Sequence, residues 1–139
     1  MSARHKARKR ALDALYEAEI KGLPISEIWQ QHSTETDFSP NPYTERLVLG
    51  ISLHLPEIDS KITQVSTGWR LERMSPVDRS IIRIAVYEML YSSDVDLAVA
   101  INESVLLAQE ISSDEAPAFV NGVLGAIARL PEAVARTTV

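Results

Sequence analysis

Six side chains near the start of this chain could do chemistry together: Arg4, Lys6, Arg8, Lys9 and Arg10 in the run RHKARKR, and Tyr16 two turns beyond Lys9. Cations at this density can replace the counterions of a polyanion, giving an affinity that falls as salt rises. An exposed aromatic ring beside them can stack an unpaired base, a contact of about 1–3 kcal/mol. Residues 1–10 hold five of the fourteen Lys and Arg and none of the nineteen acids, so the rest of the chain carries a net charge of −10. Segregation of this kind points to a polyanionic partner or to a solvated tail. At 100° per residue Tyr16 projects near Lys9 and Asp13, away from the apolar stripe, and is expected to be at least partly exposed. The alternatives are a frayed basic terminus and a Tyr packed on a neighbouring helix with its hydroxyl in water.

Other chemistries find little support. With no cysteine there is neither a disulfide framework nor a thiolate metal site, which fits a reducing compartment. His5, His32 and His54 form no metal-ligand motif, and there is no nucleophile elbow and no phosphate-cradling glycine loop. No catalysis, cofactor or metal is expected, and the histidines read as polar surface residues. No apolar stretch of signal-peptide or membrane-span length follows the basic start, so a cytoplasmic protein is the plain reading.

The elements that must position these groups read as helices almost throughout. At 139 residues and 45% apolar content, the chain has the size of one compact domain. Ala7, Ala11, Ala14, Leu15 and Ala18 predict a first helix from about residue 5 to Lys21, closed by Gly22 and Pro24. The basic block falls in its first turns, where cations oppose the macrodipole at a cost of roughly 0.3–1 kcal/mol each. Arg4 and Arg8 lie one turn apart, and Lys6, Lys9 and Arg10 lie on the outer face. A short helix is predicted at about Ser26 to His32, then a loop over TETDFSPNP. From Tyr43 a third helix carries Leu47, Val48, Ile51 and Leu55 inward, with Pro56 ending or kinking it before Ile58, Ile62 and Val65.

The β-branched run in SPVDRSIIRIAVYEML looks like a strand, but Ser75, Pro76 and Asp78 form an acidic variant of the capping box. It is predicted as a helix apolar on most sides, hence central. AVAINESVLLAQEI follows, with Ala98, Ile101, Val105, Ala108 and Ile111 as its inward stripe. In DEAPAFVNGVLGAIARL the Asn121-Gly122 pair suggests a hairpin. The flanking apolar runs are too short for strands, so a last helix capped by Asp114 is preferred. Gly122 and Gly125 would let a backbone or partner come close. The sum is an all-α domain of about six or seven helices over residues 1–139.

The ordered combination of the basic start running into ALDALYEAEI, then DRSIIRIAVYE, AINE and FVNGVLG, resembles the bacterial transcription antitermination factor NusB family over nearly the whole chain. That resemblance implies a non-enzymatic helical bundle. It also implies binding of boxA-type single-stranded RNA together with ribosomal protein S10, in a complex through which RNA polymerase reads past terminators, notably in ribosomal RNA operons. Arg4, Lys6, Arg8, Lys9, Arg10 and Tyr16 match the family's RNA-binding segment, and Glu115 and Phe119 match its continuation at the start of the last helix. For Phe119 alone, core packing is the plainer reading. Asp78 matches an acidic position in the contact with ribosomal protein S10. His5 and Lys6 stand where arginine-rich members carry Arg, which predicts weaker or more pH-sensitive RNA binding. Pro56 predicts a bent or interrupted third helix. The resemblance leaves room for a homodimer, which could cover the basic block. A helical adaptor that binds only protein is the competing reading.

Overall fold

The computed structural model describes residues 2–137, and the side chains of residues 2–136. It contains α1 (Ala3–Lys21), α2 (Ile25–Ser33), α3 (Pro42–Val65), α4 (Pro76–Tyr91), α5 (Leu97–Ile111), α6 (Ala116–Ala128) and α7 (Pro131–Thr137), with a single 3-10 turn at Leu71–Arg73. No strand occurs among the described residues. None of these helices is long and apolar enough to cross a membrane.

α4 is the axis of the fold. Every residue from Ser80 to Met89 is buried, and the helix packs against α1, α3, α5, α6 and α7. A helix that is apolar on nearly all sides gains most when neighbours cover all of it. Its start follows the sequence: the Ser75 hydroxyl accepts from the Asp78 N–H, and Pro76 occupies the first helical position, where it has no hydrogen bond to lose. Two charged residues inside the buried run, Arg83 and Glu88, require partners there. Arg83 finds Asp59 and Glu19, and Glu88 finds Arg8 and Tyr43.

α1 lays Ala7, Ala11, Ala14, Leu15 and Ala18 against this core. The helix begins two residues earlier than the spacing predicts, because the Ser2 hydroxyl accepts from the His5 N–H. It ends at Gly22, whose φ of 65° is the left-handed conformation that glycine takes without steric cost. α3 runs unbroken through Pro56, so of the two outcomes expected at this residue, an end or a kink, the end does not occur. Gly50 on α3 leaves room for the Tyr87 ring, which occupies the space a Cβ would fill.

Two further expectations are corrected. α5 buries Ala100, Ser104, Leu107 and Ala108, while Ala98 and Ile111 are exposed and Ile101 and Val105 only half-buried. The buried face lies opposite Asn102, Gln109 and Glu110, rotated by part of a turn from the predicted stripe, of which Ala108 alone is fully buried. The region from residue 114 to 130 is not capped by Asp114: Glu115 precedes the helix and makes no side-chain cap. Pro131 then opens a separate α7. Open space surrounds Gly122, and only the Arg129 side chain nears Gly125, so no backbone makes use of either.

Candidate nucleic-acid interface

The first three turns of α1 divide the basic block between surface and interior. Lys6 and Arg10 are exposed, and neither forms an ion pair with another described residue. Lys9 is half-exposed, with its ammonium 3.0 Å from Glu110. Tyr16 is 41% exposed, as the helical register predicts. Together these four side chains form a basic, aromatic-edged strip along the outer side of α1.

Arg8 is not part of that strip, and its predicted place among RNA-facing residues is corrected here. It is 2% exposed, its Nε lies 3.0 Å from both carboxylate oxygens of the fully buried Glu88, and its Nη1 lies 3.6 Å from Glu103. The Tyr43 hydroxyl donates to the same Glu88 carboxylate. Burial works against the guanidinium charge, but the hydrogen bond and charge of Glu88 outweigh it and hold Arg8 protonated. A charge taken out of water persists only when paired and hydrogen-bonded in this way.

His5 likewise departs from the surface reading. It is 1% exposed, with Nδ1 2.5 Å from Glu103 and Nε2 2.8 Å from Glu110. Its ring therefore bonds α1 to α5 instead of facing a partner, which removes the basis for expecting it to tune RNA affinity directly. Lys9 first, then His5, holds the Glu110 carboxyl below its usual range. Helical register sets Arg8 on the same face of α1 as Ala11, Leu12 and Leu15, with His5 beside Leu12. Nothing local names their partners, because Glu88, Glu103 and Glu110 lie roughly 80 to 105 residues away along the chain.

Arg4 takes a third direction. Its Nη2 is 2.8 Å from Asp94 in the α4–α5 loop, and its guanidinium lies 4.3 Å from the centre of the Tyr43 ring. Arg46 of α3 reaches the same Asp94 at 2.6 and 3.2 Å and the same ring at 5.4 Å. Hydrogen bonds from Arg46 and then Arg4 hold the Asp94 carboxyl far below the usual carboxylate range. Burial first, then the bond to Glu88, pushes the Tyr43 phenol well up.

Asp78, Glu115 and Phe119, assigned to two different partners, border one cavity of about 440 Å³ together with Trp69, Arg73 and Met74. Phe119 is half-buried against the core, so its ring both packs and lines the cavity. Glu115 is exposed. The Asp78 carboxylate does not complete the capping box. It accepts instead from the Ser112 hydroxyl at 2.6 Å, tying the start of α4 to the end of α5. Lys9 meets Glu110 two residues earlier, so the strip on α1 and the cavity adjoin the same end of α5. Trp69, half-exposed at the cavity edge, was missed in the sequence; its signal was an isolated large aromatic in the polar stretch STGWR. Among the described residues no group of three or more His, Asp or Glu side chains is arranged to hold a metal ion.

These features define an all-helical protein with a segregated cationic strip and an adjoining aromatic cavity. The chain belongs to the NusB family, whose pattern matches residues 5–129. The transcription antitermination protein NusB of Thermobifida fusca is 46% identical over 122 residues, covering 88% of this chain and 86% of that protein. Its counterpart in Arthrobacter sp. is 47% identical over 130 residues, covering 94% and 96%. NusB of T. maritima superposes with a TM-score of 0.83 at 27% identity, covering 99% of each chain. A crystal structure of the antitermination factors NusB and NusE in complex with double-stranded RNA contains a chain that matches with a TM-score of 0.75 at 27% identity, covering 91% of this chain and 97% of that one.

Proposed function

We propose that this protein binds boxA-type single-stranded RNA together with ribosomal protein S10 and promotes read-through by RNA polymerase, notably of ribosomal RNA operons. The observation that carries the reading is the strip of Lys6, Lys9, Arg10 and Tyr16, which collects exposed cations beside an exposed ring on an otherwise acidic protein. Phosphates meet the cations, and an unpaired base stacks on Tyr16. Arg4 contributes at the helix start. The cavity bordered by Asp78, Glu115 and Phe119 is assigned to the ribosomal-protein side and to the RNA's continuation. A relative crystallised with NusE and double-stranded RNA supports an RNA and a protein as the two classes of partner.

The test is RNA binding at two salt concentrations with Lys6→Ala and Arg10→Ala combined. Affinity is expected to fall, and the dependence of log K on log salt to become shallower by about 1.4 if each cation meets one phosphate of a single strand. Unchanged affinity and slope would remove the RNA surface and leave the protein-only adaptor. Asp78→Ala is expected to weaken binding of ribosomal protein S10 while leaving the chain's own RNA affinity unaltered.

A further inference from the structure

The corner formed by Arg4, Tyr43 and Arg46 lies outside the strip on α1, and its use rests on the RNA-binding reading above. Three observations converge there. Two guanidinium groups from different helices share one carboxylate, Asp94, with contacts of 2.6 to 3.2 Å. Both groups lie over the same aromatic ring. That ring is fixed from below, because the Tyr43 hydroxyl is anchored on Glu88, which is fully buried and held by Arg8. The upper layer is open to solvent, with the Arg4, Arg46 and Asp94 side chains 45%, 39% and 45% exposed.

We propose that Arg4, Tyr43 and Arg46 form a phosphodiester-binding site that carries a bound RNA strand from α1 onto α3, with the Asp94 carboxylate as the intramolecular placeholder for the phosphate. Two guanidinium groups repel each other unless an anion lies between them. A phosphodiester offers two anionic oxygens where Asp94 offers two, and guanidinium groups bind either. Exposed ion pairs contribute little to stability, so exchanging carboxylate for phosphate costs little. The ring anchored on Glu88 keeps both cations stacked while the anion changes. Arg4 and Lys6 leave the first turn of α1 on opposite sides, so a strand crossing that end of the helix reaches both.

The experiment measures binding of a short boxA-type single-stranded RNA to the full chain at two salt concentrations, with thermal unfolding to confirm that each variant folds. Arg46→Ala is expected to weaken binding about threefold to fivefold and to make the salt slope shallower by about 0.7, one phosphate's worth on a single strand. Asp94→Asn removes the competing anion and is expected to tighten binding about twofold to fivefold at low salt, a gain that misfolding cannot mimic. If both variants bind like the parent while Lys6→Ala with Arg10→Ala weakens binding, the site proposed here is wrong and the RNA-binding reading stands. If Asp94→Asn also weakens binding, Asp94 is a support and the placeholder is overturned. If the parent chain itself binds no RNA, both fall.

Discussion

Arg8 and Arg10 lie two residues apart in one basic run, yet Arg8 is sealed against Glu88 while Arg10 is exposed with no ion pair to another described residue. The same side chain therefore serves two purposes within a single turn of helix. On the inward side its charge is a structural element, satisfied by acids from α4 and α5. On the outward side its charge is available to something outside the molecule. Counting cations along the run overstates the binding surface, because the helix divides them between these two environments.

The contrast is broken most directly at its buried end. Glu88→Ala would leave Arg8 charged in the interior without its hydrogen-bonded partner, with only Glu103 at 3.6 Å beside it. It is expected to destabilise the fold by about 3–5 kcal/mol, read as a large drop in urea or thermal midpoint. Replacing Arg8 and Glu88 together with Met and Leu should recover much of that loss, since an apolar pair of similar volume carries no desolvation cost. The Lys6 and Arg10 substitutions described above should instead change the free energy of unfolding by less than about 0.5 kcal/mol. If both ends of the run lose stability equally, the division drawn here is wrong.

Tyr16→Ala sharpens the exposed side. It should cost about 1–3 kcal/mol of single-stranded RNA affinity with the salt slope unchanged, because stacking releases no counterions. An equal loss on duplex RNA would argue against stacking on an unpaired base.

The smallest effect concerns a half-buried pair between α1 and α2, Glu17 and His32. Lys21 first, then His32, lowers the Glu17 carboxyl pKa, while Glu17 and Glu35 raise that of His32. The contribution of Glu17 is present above its ordinary value of 4.5 and is lost as pH falls through its lower folded value. That of His32 is full below its ordinary 6.5 and is lost as pH rises through its higher folded value. The pair's stabilisation is therefore greatest between those ordinary values. At these solvent-reached positions it should amount to less than about 1 kcal/mol. Comparing the parent with His32→Ala by thermal unfolding across that range checks it, and a difference that grows above neutral pH would contradict the sign.

Much of the fold was legible because its signals are local. Ser75 and Pro76 announce the start of α4, Gly22 announces the end of α1, and the apolar period of α1 and α3 names the residues they bury. The α5 stripe was off by part of a turn, because it followed Ala98, Ile101 and Val105 and not the side opposite Asn102, Gln109 and Glu110. α7 was missed because Pro131 reads as an ending as readily as a beginning. At the candidate site, the outward placement of Lys6, Lys9, Arg10 and Tyr16 followed from helical register alone. The same register sets Arg8 beside Ala11, Leu12 and Leu15, but it did not reveal the acids that pair with His5 and Arg8, nor the meeting of Arg4, Arg46 and Asp94 around Tyr43.

By itself, then, the sequence determined that the chain is helical, that its positive charge is concentrated at one end, and which side of α1 faces outward. Those are consequences of capping, periodicity and composition, each decided within a few residues. The tertiary structure alone decided which acids pair with the cations on the inward side, because those acids lie on helices roughly 80 to 105 residues away. It likewise decided that Asp78, Glu115, Phe119 and Trp69 share a cavity. Pairing a buried charge depends on where distant helices come to rest, and no local pattern encodes that.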